Sequence, residues 1–316
     1  MLRKVVRQGP STLMVSLPSK WTKEHNIKKG SELDLELLNN QIVISTQSPE
    51  QRKSTVITID KKEEYMNRVL FTKYREGYDE IIIHYTDPAI VEKIRETLQY
   101  LLGFEIVDQN GKSCTIKNIA EGLQENYEQM FKRLFQIVLT MAETATNYVK
   151  ENNDNKNNNH NKDNKSSNQQ QLKTIIELRE TLSKILEFSL RLINKQNLLT
   201  ENKKAMEFFY VWNIGVIGKT WSYLAKELLE EKQSQQKNHQ WNQKEIDFFH
   251  FIVNYHRLLY DLFYKQKNIS LAQLRLQREH LKEKGYTLLE TSKKKQIIHH
   301  LLSIGEKIHD VSTTFS

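Results

Sequence analysis

Cysteine is nearly absent from this 316-residue chain. One thiol, Cys114, excludes an intramolecular disulfide framework and a cysteine-rich zinc site, and fits a reducing compartment. Proline is scarce at four residues, and glycine stands at only ten. No apolar run approaches the ~20 residues that span a bilayer. The first residues lack the apolar stretch of a secretory signal. The expectation is a cytoplasmic protein with no membrane insertion. Sequence signatures of catalysis are missing too: there is no P-loop, no G-x-S-x-G and no H-E-x-x-H. His299 and His300 are adjacent, so on a helix they diverge by roughly 100° and cannot share a metal as an i,i+4 pair can. The chain is expected not to be an enzyme and to carry no cofactor.

What the chain does have is an uneven charge. The net charge is +8. Residues 1–30 hold seven lysines and arginines against one acid, Glu24, a net of +6. The remaining 286 residues balance 40 basic against 38 acidic side chains. A basic head on a near-neutral body points to a polyanionic partner.

Residues 2–46 read as four short strands around a short helix. "LRKVVR" is the first strand, and Gly9-Pro10 turns the chain. "STLMVSL" alternates, with Leu13, Val15 and Leu17 on one face. Pro18 ends that strand and suits a helix start. "SKWTKEHNI" makes about two turns, with Trp21 as its expected core anchor. "ELDLELL" and "QIVIS" pair across Asn39-Asn40. So small a unit, without disulfide or metal, covers its apolar face most readily by dimerising with strands interleaved between copies.

Residues 53–118 follow as a small unit of order β-α-β-α-β-β, with an Asp87-Pro88 helix start and an Asn110-Gly111 hairpin. "DEIIIHY" is continuously apolar, as expected of a strand covered on both faces. From residue 119 onward the pattern is helical. Apolar residues recur at three and four over 123–149, 172–193, 205–229, 244–266 and, more weakly, 293–309. Residues 151–171 contain no apolar side chain and are expected to be a disordered, Asn-rich insert. Residues 231–242 read as a shorter polar connector. The fold class is therefore multidomain α+β, divided as 1–46, 53–118 and 119–316.

Residues 1–46 resemble the swapped-hairpin AbrB/SpoVT/MazE DNA-binding domain. The resemblance rests on "RKVVR", the Gly9 loop, the strand ending at Pro18, "SKWTKEHNIKKG" and "SELDLEL". Ser19 between Pro18 and Lys20, and Ser31 in place of the common Asp, depart from that pattern. The resemblance implies a small β-barrel shared by a homodimer and a DNA partner. Arg3, Lys4, Arg7, Ser11, Thr12, Lys20 and Lys23 are the candidate DNA contacts. Arg3 and Arg7, four apart, share one face if both lie on a strand, and arginine can bridge two acceptors on a guanine edge.

Residues 119–313 look like a PhoU domain, and the succession of parts is similar to archaeal phosphate-uptake regulators. This implies a DNA-binding regulator linked to phosphate uptake, whose bundle senses a partner or signal. The alternative is a PhoU-like regulator that docks on phosphate-transporter or signalling proteins and uses its head only to dimerise. The PhoU pattern includes a helix reading Leu-Glu-x-Ile-Gly-Asp, whose acids can contribute to a metal cluster. The corresponding stretch here is "WNIGVIGKTW", with Gly215 and Lys219 at the acidic positions. Loss of two carboxylates and gain of an ammonium predict no metal on this face.

Overall fold

The computed structural model describes residues 2–38, 41–46, 53–59, 65–120, 127–157, 163–195, 201–233, 240–264 and 270–315. The chain divides into two compact units, Met1–Arg52 and Lys53–Ser316.

In the first unit, β1 (Val6–Gln8) and β2 (Thr12–Met14) pair antiparallel with Arg7 opposite Leu13. Gly9 turns this hairpin at φ +80°, a backbone conformation open to glycine at little cost. Helix α1 (Ser19–Glu24) starts after Pro18, whose fixed φ of −62° suits the entry. A second hairpin joins β3 (Leu33–Leu38) to β4 (Gln41–Thr46), with Leu38 opposite Gln41. The Asn39-Asn40 turn lies outside the described residues. The four strands form two separate two-stranded ribbons among the described residues, not a closed barrel. An isolated ribbon is marginal in water and leaves its edges unpaired. None of the unit's residues with described burial is buried, and Leu13, Leu35 and Ile42 are more than 60% exposed. Trp21, expected to anchor the core, is half-buried beside His25, with ring centres 5.4 Å apart. A single copy offers α1 no core to anchor.

The second unit opens with a four-stranded sheet. Its elements are β5 (Ser54–Ile59), α2 (Met66–Arg75), β6 (Glu80–Tyr85), α3 (Ile90–Leu98), β7 (Phe104–Gln109) and β8 (Ser113–Asn118). The strand order is β5-β6-β8-β7, parallel only between β5 and β6. Ala89 donates its N–H to the Asp87 carboxylate at 2.9 Å, and the Asn110 side chain accepts from Lys112 and Ser113 in the hairpin turn. The expected double covering of β6 does not occur. Ile81, Ile83 and Tyr85 are buried, but Ile82 is half-buried and His84 exposed. Only the face that carries Ile81 and Ile83, opposite Ile116 and Cys114, joins the core with Leu70, Tyr74, Ile90 and Ile94. Two helices suffice to cover one face of so small a sheet. Burial pushes the Cys114 thiol up to about 11, so it stays protonated and packs as an apolar group.

Among the described residues, six long helices complete this unit: α4 (Tyr127–Asn157), α5 (Asp163–Lys195), α6 (Glu201–Gln233), α7 (Gln243–Tyr264), α8 (Leu271–Thr291) and α9 (Lys295–Ser312). The disorder expected over 151–171 is corrected. Residues 151–157 continue α4 and 163–171 begin α5, while 158–162 lie outside the described residues. Adding a turn to an established helix is cheap compared with starting one, and Gln171 donates to the Glu151 carboxylate at 3.0 Å across the pair. The polar connector expected over 231–242 shortens in the same way, because α6 runs to Gln233 and Trp241 is buried. Helix α8 escaped the periodicity reading. Its signal is local: Ser270 and Gln273 form a reciprocal capping box.

One close helix contact in the bundle, between α6 and its neighbours α4 and α5, needs glycine. A Cβ on Gly218 of α6 would stand 2.4 Å from a methyl of Leu182 and 2.9 Å from one of Val138. Gly218→Val is expected to cost about 1–3 kcal/mol through overpacking. Urea unfolding, with the slope unchanged, measures that loss.

Candidate functional site

The cations expected to meet a polyanion all lie in the first unit and are exposed. The structure groups them by element. Arg7 sits in β1, and Ser11 and Thr12 lie across the turn from it, with Thr12 opposite Gln8. The Arg7 guanidinium donates to the Pro10 carbonyl at 2.6 Å, which ties the side chain to its own turn. Lys20 and Lys23, three apart on α1, share a helix face. Lys20 stands 3.9 Å from Glu24, an exposed contact that offsets part of its charge.

One geometric expectation fails. Arg3 and Arg7 do not share a strand, because β1 begins at Val6 and both Arg3 and Lys4 precede it. Alternation within a strand therefore cannot align the two arginines. Arg3 is held differently, by a contact of 3.5 Å from its guanidinium to the Ser16 hydroxyl beyond β2. The candidate residues thus come from a segment before β1, the β1–β2 turn and α1. Lys28 and Lys29, on the turn after α1, are also exposed, and the Lys28 N–H donates to the Ser31 hydroxyl at 3.0 Å. Ser31 acts there as the turn cap that an aspartate side chain could also provide.

Gly215 and Lys219, the two positions expected from the sequence resemblance to lack acids, fall elsewhere, on α6. Gly215 is buried where α6 crosses α5, and a Cβ there would stand 2.7 Å from a Leu186 methyl. Lys219, one turn on, is exposed beside the Tyr223 ring. Among the described residues, no group of three or more His, Cys, Asp or Glu side chains is arranged to hold a metal. No helix among the described residues is long and apolar enough to cross a membrane.

The sheet and bundle of the second unit meet through buried charge. Arg191 of α5 donates to the carbonyls of Tyr74 and Tyr78 at 2.9 and 2.6 Å, and to the Asp79 carboxylate at 2.6 Å. Its guanidinium lies about 5 Å from the rings of Tyr74 and Phe104. Lys195 adds a second cation on Asp79 at 2.7 Å, and Arg75 clasps Glu187 through two bonds of 2.6 and 2.7 Å. Desolvation pushes the Asp79 carboxyl up, but the Lys195 hydrogen bond and the Lys195 and Arg191 charges outweigh it and hold it below its ordinary value. None of these residues was singled out in the sequence. Their spacing on α5 (187, 191, 195) is a helical stripe of one acid followed by two bases, which also fits a solvated face.

No curated protein and no solved structure matches the chain. One family model does, over residues 6–52: Antidote-toxin recognition MazE, bacterial antitoxin. The match covers the two ribbons and α1, and the strand-rich head is therefore similar to the MazE antitoxin domain, joined here to a mostly helical second unit.

Proposed function

We propose that this chain is a cytoplasmic DNA-binding regulator that acts as a homodimer. The observation that carries the reading is the head itself: a MazE-like domain whose candidate contacts Arg3, Lys4, Arg7, Lys20 and Lys23 are all solvent-exposed. Pairing of two copies is supported by the exposed Leu13, Leu35 and Ile42, which a lone copy leaves in water. Two heads bring together roughly twice the +6 carried by residues 1–30. Ser11 and Thr12, at the turn beside Arg7, contact phosphate oxygens in this reading.

The helical unit is the sensor in this reading, and the process regulated is phosphate uptake. The support for that link is the resemblance of the helical region to PhoU. Gly215 and Lys219 replace its acids, so the sensor works without the metal cluster of that pattern. No catalytic step is required.

The test is duplex binding by the full chain as a function of salt. Arg3→Ala with Arg7→Ala removes four cations per dimer. The slope of log K against log salt should become shallower by up to about 3.6, with at least about tenfold weaker binding near physiological salt. Equal affinity and equal slopes for the two proteins would reject the role of these arginines. A genome-wide binding map tests the phosphate link separately, since it requires sites beside phosphate-transport genes.

A further inference from the structure

We propose that a cleft between α5 and α6 binds a small organic polyanion of nucleotide size, with its charged end at Arg179, Lys219 and Lys226 and its ring at Trp212. The cleft has a volume of about 520 Å³, within the usual range for small-molecule sites. Trp212, Lys219 and Lys226 follow one another at intervals of seven on α6 and so form one stripe, each about 10 Å further along the axis. Gly215, between the indole and the first lysine, lines the cleft and lets Leu186 of α5 pack against α6 there.

Arg179 reaches in from α5. Its guanidinium donates to the hydroxyl of the fully buried Ser222 at 3.1 Å, and that hydroxyl donates to the Lys219 carbonyl at 2.7 Å. The arginine is therefore oriented before any ligand arrives, which lowers the cost of binding. Among the described residues, Arg179, Lys219 and Lys226 have no carboxylate within salt-bridge distance. The acids in the lining are Glu187, already clasped by Arg75, and the exposed Glu180. Three uncompensated cations against one acid leave the cleft positive.

The Tyr223 ring lies 5.6 Å from both the Arg179 and the Lys219 cations. Desolvation raises its phenol, yet the Lys219 hydrogen bond and the Lys219 and Arg179 charges together bring it below its ordinary value. At the other end the Trp212 indole is 41% exposed, the Arg75 guanidinium lies 5.3 Å from it, and Tyr100 and Phe71 line the wall. Cations at one end and aromatic rings at the other favour a ligand with several anionic oxygens and a planar group. A single phosphate ion can satisfy only one end.

This inference concerns the second unit and does not depend on DNA binding by the head. Calorimetric titration of the full chain, without DNA, uses three probes: ATP, pyrophosphate and inorganic phosphate. Affinity should fall in that order. Lys219→Gln with Lys226→Gln should weaken ATP by about tenfold or more. Trp212→Leu should weaken ATP and leave pyrophosphate unchanged. Lys244→Gln, outside the cleft, and the paired Arg3→Ala, Arg7→Ala change in the head should each leave ATP binding within about twofold. The lysines and the indole are exposed, so all of these variants should fold, which circular dichroism verifies. Absence of ATP binding, indifference to the lysine changes, loss through the head variant, or equal affinity for phosphate and ATP would each overturn the proposal.

Discussion

Arg191→Met is expected to lower the unfolding free energy of the second unit by about 3–5 kcal/mol at neutral pH. Arg191 is 2% exposed and joins three acceptors on the sheet side: the carbonyls of Tyr74 and Tyr78 and the carboxylate of Asp79. The Tyr78 carbonyl lies beyond the end of α2 and would lose its side-chain donor, whereas the Tyr74 carbonyl also accepts from the Gly77 N–H at 3.1 Å. Methionine fills much of the space between Tyr74 and Phe104, so the loss comes chiefly from stranded acceptors and not from a void. Lys195 still reaches Asp79, which keeps the loss below that of an isolated buried carboxylate.

A second variant separates pairing from packing. Adding Asp79→Leu to Arg191→Met removes the buried acid as well and should recover part of the deficit, because an apolar replacement of a buried ion pair is often neutral. Urea midpoints of the wild type, the two single variants and the double variant measure the coupling between the two residues. A loss below about 1 kcal/mol for Arg191→Met would mean that the network does not couple the sheet to the bundle.

His256→Leu should change how stability depends on acid. His256 is fully buried on α7, its ring 6.0 Å from that of Phe135, and neither ring nitrogen has a hydrogen-bond partner among the described residues. Burial alone pulls it down from 6.5 to about 3. The sign follows from linkage. Between those two values the unfolded chain takes up a proton that the folded one refuses, so stability is complete above pH 6.5 and falls as pH drops. By pH 4 the cost is on the order of 3 kcal/mol. Leucine, which cannot be protonated, should remove that decline and add about 1–2 kcal/mol at pH 7.5 by eliminating unsatisfied nitrogens. Asp79 acts in a lower window. Its carboxyl is held below its ordinary value, so its contribution is present above about pH 4 and is lost as pH falls further. The variant should therefore still unfold in strong acid. Unchanged slopes between pH 6.5 and 4 would refute the role given to His256.

Much of the element order was legible in the sequence, and the reason is periodicity. Alternating Leu33 and Leu35, the Asn110-Gly111 turn and the three-and-four spacing of Leu134, Val138 and Met141 are local patterns with local causes. The α8 helix was missed because Gln277, Arg278 and Glu279 dilute its apolar stripe. The polar end of α4 and the polar start of α5 were misread because composition measures what a segment can bury. It does not register that a segment prolongs a helix already anchored by apolar residues such as Val149 and Leu172.

The head's residues were singled out because charge density is a property of composition. The buried network was not, since Glu187, Arg191 and Lys195 look like a solvated stripe until Asp79 and the Tyr74 carbonyl, more than 100 residues away, are brought against them. By itself the sequence determined where the cations cluster and which segments become strands or helices. Only the tertiary structure decided which charges lose water and find partners, and which, such as Arg179 and Lys219, are left to hold a cleft open to anions. Desolvation and pairing depend on distances between segments that no local pattern encodes.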